Sequence, residues 1–155
     1  MQEHKYYVET SVWGMIPKGQ PRELRRTTLR FLHRMLPSAC FVSKVVLEEI
    51  DACSEDLRAS IYAVMDSIAP TVLAESLEAR GLAQYYVESG ILPGKKFEDA
   101  LHVAIATIGE VDFIVSWNHK HIANARKSAQ YQEANLRRGY RKTPPILTPY
   151  EVLNE

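Results

Sequence analysis

Only two cysteines, Cys40 and Cys53, occur among 155 residues, each in an otherwise apolar segment. So few exclude a scaffold stapled by several disulfides, and no His/Cys pattern has the spacing of a zinc site. No apolar run is long enough to span a bilayer and no stretch resembles a secretory signal, so a reduced, cytoplasmic protein without a membrane partner is expected. An excess of either charge is missing too: Lys plus Arg and Asp plus Glu both number 19. That rules out the global basic field many nucleic-acid binders carry, so any such contact must be local. The chain also lacks a Gly-rich phosphate loop, a Gly-x-Ser-x-Gly elbow, and the second acid after the first strand that an aspartyl-phosphate enzyme would need. Internal repeats, low-complexity tracts and linker-like stretches are absent as well, which leaves one domain over residues 1–155 as the expectation.

What is present is a regular alternation of β-prone and helical segments. Tyr6-Tyr7-Val8 is a short strand-like run, and beyond the turn at Pro17 to Pro21 the periodicity predicts a helix from Arg22 to Leu36. Leu24, Phe31, Leu32, Met35 and Leu36 mark its apolar side, while Arg26, Arg30 and Arg34 make the opposite side basic. Phe41-Val42 reads as a second strand, with Ser43 as N-cap of a helix carrying Val45, Val46, Leu47 and Ile50. A helix over Glu55 to Ile68 stops before Pro70, and Thr71-Val72-Leu73 suggests a third strand. Two helices follow, around Leu77 to Ser89 and Phe97 to Ile108, and Val111 to Val115 is the clearest strand. After a polar segment the chain returns through Ile146-Leu147-Thr148 to a last helical turn. Strands alternating with helices imply an α/β architecture with a mostly parallel sheet covered on both faces, whose ligands gather at the carboxyl ends of the strands.

That rule directs attention to particular acids. Glu9 and Thr10 follow the first strand, and Glu48 and Glu49 lie in the helix after the second. The helical period separates the pair: Glu49 shares a face with Val45, Val46 and Cys53 and should point inward, whereas Glu48 follows Lys44 by one turn. A carboxylate on an apolar face must be paired, hydrogen-bonded, protonated or bound to a cation, so a buried ion pair and a metal site are equally open for Glu49. Asp99 starts the helix carrying Leu101, Ala104, Ile105 and Ile108. Its plain role is to complement the helix dipole, yet with Val103 it lines a side distinct from the Leu101 and Ile105 stripe. Together Glu9, Glu49 and Asp99 offer oxygens that suit Mg²⁺ or Mn²⁺, ions able to generate hydroxide and neutralise charge on a phosphate. His102 reads as a helix or core residue, and His119 and His121 as surface loop.

Several motifs then carry a resemblance. Tyr6-Tyr7-Val8-Glu9-Thr10-Ser11-Val12 resembles the opening of PIN domains, with Glu where the family has Asp; Val45 to Ile50 is similar to the second acidic motif and puts Glu49 in the acid position. Phe97-Glu98-Asp99-Ala100-Leu101-His102-Val103-Ala104 resembles the third motif most specifically. Asp112 to Ile122 is similar to the fourth in a branch with Trp117-Asn118 where other members have an acid, and Asn135 to Tyr140 with Ile146 to Pro149 resembles that branch's ending. The resemblance spans nearly the whole chain. It implies a three-layer PIN-like fold with a parallel five-stranded sheet, and a Mg²⁺- or Mn²⁺-dependent ribonuclease. It also implies the VapC-like toxin's company: an antitoxin protein and a homodimeric partner.

On this reading Glu9, Glu49 and Asp99 hold the metal, Asn118 joins the catalytic set, and Thr10 or Ser11 orients water or phosphate. Arg137, Arg138, Arg141 and Lys142 would form a local RNA-binding patch near the site, or else complement a helix end at Gly139. The longer Glu9 and uncharged Asn118 favour an alternative: a PIN-fold module that binds RNA or a partner chain without cutting. A small-molecule phosphohydrolase accounts for the acids but leaves the basic helix side unexplained.

Overall fold

The computed structural model describes residues 4–35 and 37–154. Its strands are β1 (Tyr6–Val8), β2 (Cys40–Ser43), β3 (Thr71–Leu73), β4 (Phe113–Val115) and β5 (Ile146–Leu147). The helices are α1 (Thr10–Trp13), α2 (Arg22–Arg34), α3 (Lys44–Asp51), α4 (Glu55–Ile68), α5 (Leu77–Glu88), α6 (Phe97–Ile108), α7 (Ala125–Arg137) and α8 (Pro149–Leu153). The five strands form one all-parallel sheet in the order β3-β2-β1-β4-β5. Chain order runs one way from β1 and resumes on its other side at β4. A topological switch point therefore lies between β1 and β4, where loops leaving adjacent carboxyl ends diverge and open a crevice.

Burial explains why β1 holds the centre. Tyr6, Tyr7 and Val8 are all buried although their side chains alternate between faces, so both faces of the sheet are covered by helices. Helix α6 is the most enclosed of the described helices, with every residue from Ala100 to Thr107 buried. A helix apolar nearly all round has no solvent face to offer and must sit inside. Several polar groups that enter the core bond to one another or to backbone: Tyr86 donates to Asn135 Oδ1, Asn135 Nδ2 to Thr107 Oγ1, and Trp13 Nε1 to the Val8 carbonyl. These bonds lock α5, α7 and α6 together and hold α1 against the exit of β1.

Most element boundaries agree with the sequence reading, and the differences have local causes. Helix α2 ends at Arg34, and Met35 is already extended with ψ 126, as expected when the chain approaches Pro37; Leu36 lies outside the described residues. Strand β4 begins at Phe113, because the Val111 amide still donates to Ala106 at the end of α6. The expected loop after β1 contains a turn of helix, α1, capped by Glu9 itself. The polar segment after β4 contains the thirteen residues of α7, capped by Asn124. Its buried positions Ser128, Tyr131, Ala134 and Asn135 include two polar residues, so hydrophobic periodicity alone does not reveal it.

Candidate active site

Glu9 follows β1 directly, and its amide continues the ladder by donating to Val115 at 3.0 Å. The side chain folds back as the α1 cap and is only 4% exposed. Its carboxylate accepts the Ser11 amide at 3.1 Å and the Ser11 and Ser116 hydroxyls at 2.5 Å each. Those hydroxyls in turn accept the amides of Trp117 (2.8 Å) and Asn118 (2.9 Å). Glu9 is thus tied to the loop leaving β4, across the switch point. A buried carboxylate requires such donors, and three of them fix its position.

Glu49 comes from α3, whose start is set by Ser43 accepting the Val46 amide. Its Oε1 accepts the Thr10 hydroxyl at 2.6 Å and lies 2.7 Å from His102 Nε2. Oε2 makes no hydrogen bond among the described residues. Glu48 is exposed, as the helical period predicts.

His102 is fully buried on α6. Its Nδ1 lies 2.7 Å from the Tyr7 hydroxyl, which is 2.8 Å from the Ser43 hydroxyl. A relay results that joins β2, β1, α6, α3 and α1, in the order Ser43, Tyr7, His102, Glu49, Thr10. Burial pulls the imidazole toward its neutral form, but the hydrogen bond to Glu49 and the charges of Glu9, Glu49 and Asp99 outweigh it and raise its pKa above the ordinary 6.5. Burial would raise the Glu49 pKa, yet the bond and charge of His102 and the Thr10 hydroxyl bring it below the usual carboxylate value. Burial foremost drives the Tyr7 phenol well above its ordinary range.

Asp99 stands one turn before His102 on α6, half-buried, and makes no hydrogen bond or ion pair among the described residues. Of the three acids singled out in the sequence, Glu49 bonds His102, a core residue with a second role, while Glu9 and Asp99 act on it through their charge alone. The clue was its place three positions after Asp99, which puts both on one helix face. Glu49 has protein partners in His102 and Thr10. His121 departs from expectation, being 9% exposed and not a surface residue.

The remaining predicted residues divide. Thr10 and Ser11 are at the site, but each hydroxyl is engaged by a carboxylate. Asn118 shapes the β4 exit: its Oδ1 accepts the His121 amide at 3.2 Å and its carbonyl accepts those of Ile122 and Ala123. The four cations of the expected patch are not gathered beside the acids. Lys142 pairs with Asp112 at 2.7 Å; Asp112 also accepts the Lys5 amide, so this pair sits where β1 and β4 begin, opposite the carboxyl edge. Arg137 pairs with Glu133, Arg138 lies over the Tyr85 ring, and Arg141 is exposed.

Among the described residues, no group of three His, Cys, Asp or Glu side chains is arranged to hold a metal ion. The donor chemistry nonetheless fits a hard divalent cation in part. Asp99 and Oε2 of Glu49 are carboxylate oxygens without protein donors among the described residues, whereas both oxygens of Glu9 already accept hydrogen bonds.

Neither a family model nor a curated relative matches the sequence. Solved structures do match the fold. VapC20 of Mycobacterium tuberculosis, a sarcin-ricin loop cleaving toxin, is 18% identical with a TM-score of 0.60, over 76% of this chain and 92% of that one. VapBC2 of Rickettsia felis, solved bound to a DNA fragment from its promoter, is 13% identical with a TM-score of 0.52, over 92% of this chain and 97% of that one. At such identities the likeness is one of fold, and the fold is the VapC-like PIN architecture that the sequence motifs imply.

Proposed function

We propose that this chain is a PIN-type endoribonuclease, dependent on Mg²⁺ or Mn²⁺, and the toxin of a cytoplasmic toxin–antitoxin pair. The observation that supports it best is Glu49 of α3, held by Thr10 after β1 and by His102 of α6, the same imidazole on which the charges of Glu9 and Asp99 act. In this reading Asp99 and Glu49 hold the cation and Glu9 is the third acid. A cation held by these carboxylates would supply Lewis acidity and lower the pKa of water, the chemistry that phosphodiester hydrolysis needs. His102 and Thr10 are positioning residues: by binding Oε1 of Glu49 they fix its rotamer and leave Oε2 free of protein donors. Ser11 and Ser116 hold Glu9 in the same way, and Asn118 shapes the loop that presents Ser116. RNA as substrate, an antitoxin and a homodimeric state carry over from the toxins that share the fold, and each is part of the proposal.

A second reading is favoured by the hydrogen bonding itself. Both oxygens of Glu9 accept hydrogen bonds and Glu49 is paired with His102, as in a site that no longer needs a cation. The chain would then be a PIN-fold module that binds RNA or a partner without cutting.

Single-turnover cleavage of a mixed RNA pool with Mg²⁺ and with Mn²⁺ separates the two. The nuclease reading expects Asn118→Asp, which adds an anionic oxygen, to cut faster than wild type and Asp99→Asn to cut slowest. No cleavage by wild type or Asn118→Asp, with RNA or partner binding retained, would establish the second reading.

A further inference from the structure

Formal charge cancels over the whole chain, yet one surface is strongly biased. Arg22, Arg26, Arg30 and Arg34 recur every fourth residue along α2, and all four are exposed. None makes a hydrogen bond or an ion pair among the described residues, although Arg80, Arg137 and Lys142 elsewhere on the surface do. The stripe is about 18 Å long, from twelve residues at 1.5 Å each, and its successive charges are one helical turn apart. Grooves flank it on both sides. One, of about 550 Å³, is lined by Lys18, Arg22, Arg25, Arg26 and Arg30. The other, of about 330 Å³, runs between Arg26, Arg30 and α8, with Glu23 its one carboxylate.

Unpaired guanidinium groups crowded on one helix repel one another, a cost that an anionic partner of matching repeat would remove. The opposite face of α2 is where the helix meets the candidate site. There buried Thr28 accepts the Trp117 indole N–H at 2.8 Å, and Trp117 belongs to the β4 exit loop that donates to Ser11.

We propose that the Arg22, Arg26, Arg30 and Arg34 stripe of α2 is a track for the phosphate backbone of RNA, binding the strand outside the acidic cleft. The proposal rests on the ribonuclease reading for its choice of RNA. The occupant is a polyanion because the face has four exposed cations and the grooves beside it carry one carboxylate, Glu23. A polynucleotide fits because its charges repeat along a line, as the arginines do. The contacts are to phosphate and carry no sequence preference.

The test is fluorescence anisotropy with a short labelled single-stranded RNA across a salt series, in the Asp99→Asn background so that the probe survives. Replacing the four arginines by alanine, a good helix former, should leave the circular dichroism unchanged and reduce the slope of log affinity against log salt by about 3, at roughly 0.7 for each phosphate no longer neutralised. Replacing them by lysine should preserve the slope. An unchanged slope in the alanine variant overturns the track. So does a loss of binding confined to polyglutamate or anionic vesicles, which would assign the stripe to an acidic partner or a membrane surface. Cleavage by the otherwise wild-type chain is scored separately. Wild-type cleavage with an unchanged slope removes the track alone; a reduced slope without cleavage in any variant keeps the track and removes the nuclease.

Discussion

His102 bridges two groups that the sequence separates widely: its Nε2 is 2.7 Å from Glu49 Oε1 and its Nδ1 is 2.7 Å from the Tyr7 hydroxyl. The pair with Glu49 therefore does more than neutralise charge, because it anchors an acid of the candidate site to the centre of the sheet. Replacing His102 by alanine leaves a cavity, a phenol bonded only to Ser43 and a carboxylate bonded only to Thr10. A loss of about 3 kcal/mol in urea unfolding is expected, and a loss below about 0.5 kcal/mol would mean that the relay is not maintained in solution.

Tyr7→Phe tests the inner half of the relay. The phenyl ring fits the same space, but the Ser43 hydroxyl and His102 Nδ1 lose a shared partner in a fully buried setting. Destabilisation of about 1–3 kcal/mol is expected. Ser43→Ala should cost additional stability through the α3 cap, about 1 kcal/mol, and the double variant should cost less than the sum because the two share a network.

Cation binding is predicted to reside in Asp99 and Glu49. Calorimetric titration with Mn²⁺ should give a clear heat for wild type and a much weaker one for Asp99→Asn. Identical titrations would leave Asp99 as a dipole-complementing residue of α6 and nothing more.

The Asp112 pair offers a pH test at the opposite edge of the sheet. Its carboxyl is held below the ordinary 3.8 chiefly by the Lys142 ammonium; burial opposes this and the Lys5 amide supports it. A depressed folded pKa contributes stability that is present above 3.8 and is lost as pH falls through the folded value. The stability gap between wild type and Lys142→Ala should therefore be constant above about pH 5 and close in stronger acid. A gap that persists in strong acid would show that Lys142 acts through packing and not through the pair.

Ala69 ends α4 in the left-handed region, at φ 54 and ψ 61, and is exposed. Glycine is free of the Cβ clash there, so Ala69→Gly should raise stability by up to about 1 kcal/mol. Thermal unfolding reads the change directly, and a lower midpoint would show that unfolded-chain entropy outweighs relief of strain.

Much of the architecture follows from local sequence because its causes are local. The Ser43 cap, the stop before Pro70 and the span of α6 depend on capping, proline sterics and helical period, which operate within a few residues. The inward set of Glu49 follows from periodicity as well. Helix α7 did not announce itself, because Ser128 and Asn135 are buried polar positions whose partners, the Ile146 amide and the Tyr86 and Thr107 side chains, are distant in sequence. The same limit applies to the site. Sequence identified Glu9, Glu49 and Asp99 as acids worth explaining, but only the parallel order of β2, β1 and β4 brings α3, α6 and the β4 loop to one edge. That arrangement decides that Ser116 donates to Glu9, that His102 meets Glu49, and that Lys142 pairs far from all of them, since hydrogen bonds and burial depend on separations in space that no spacing along the chain encodes.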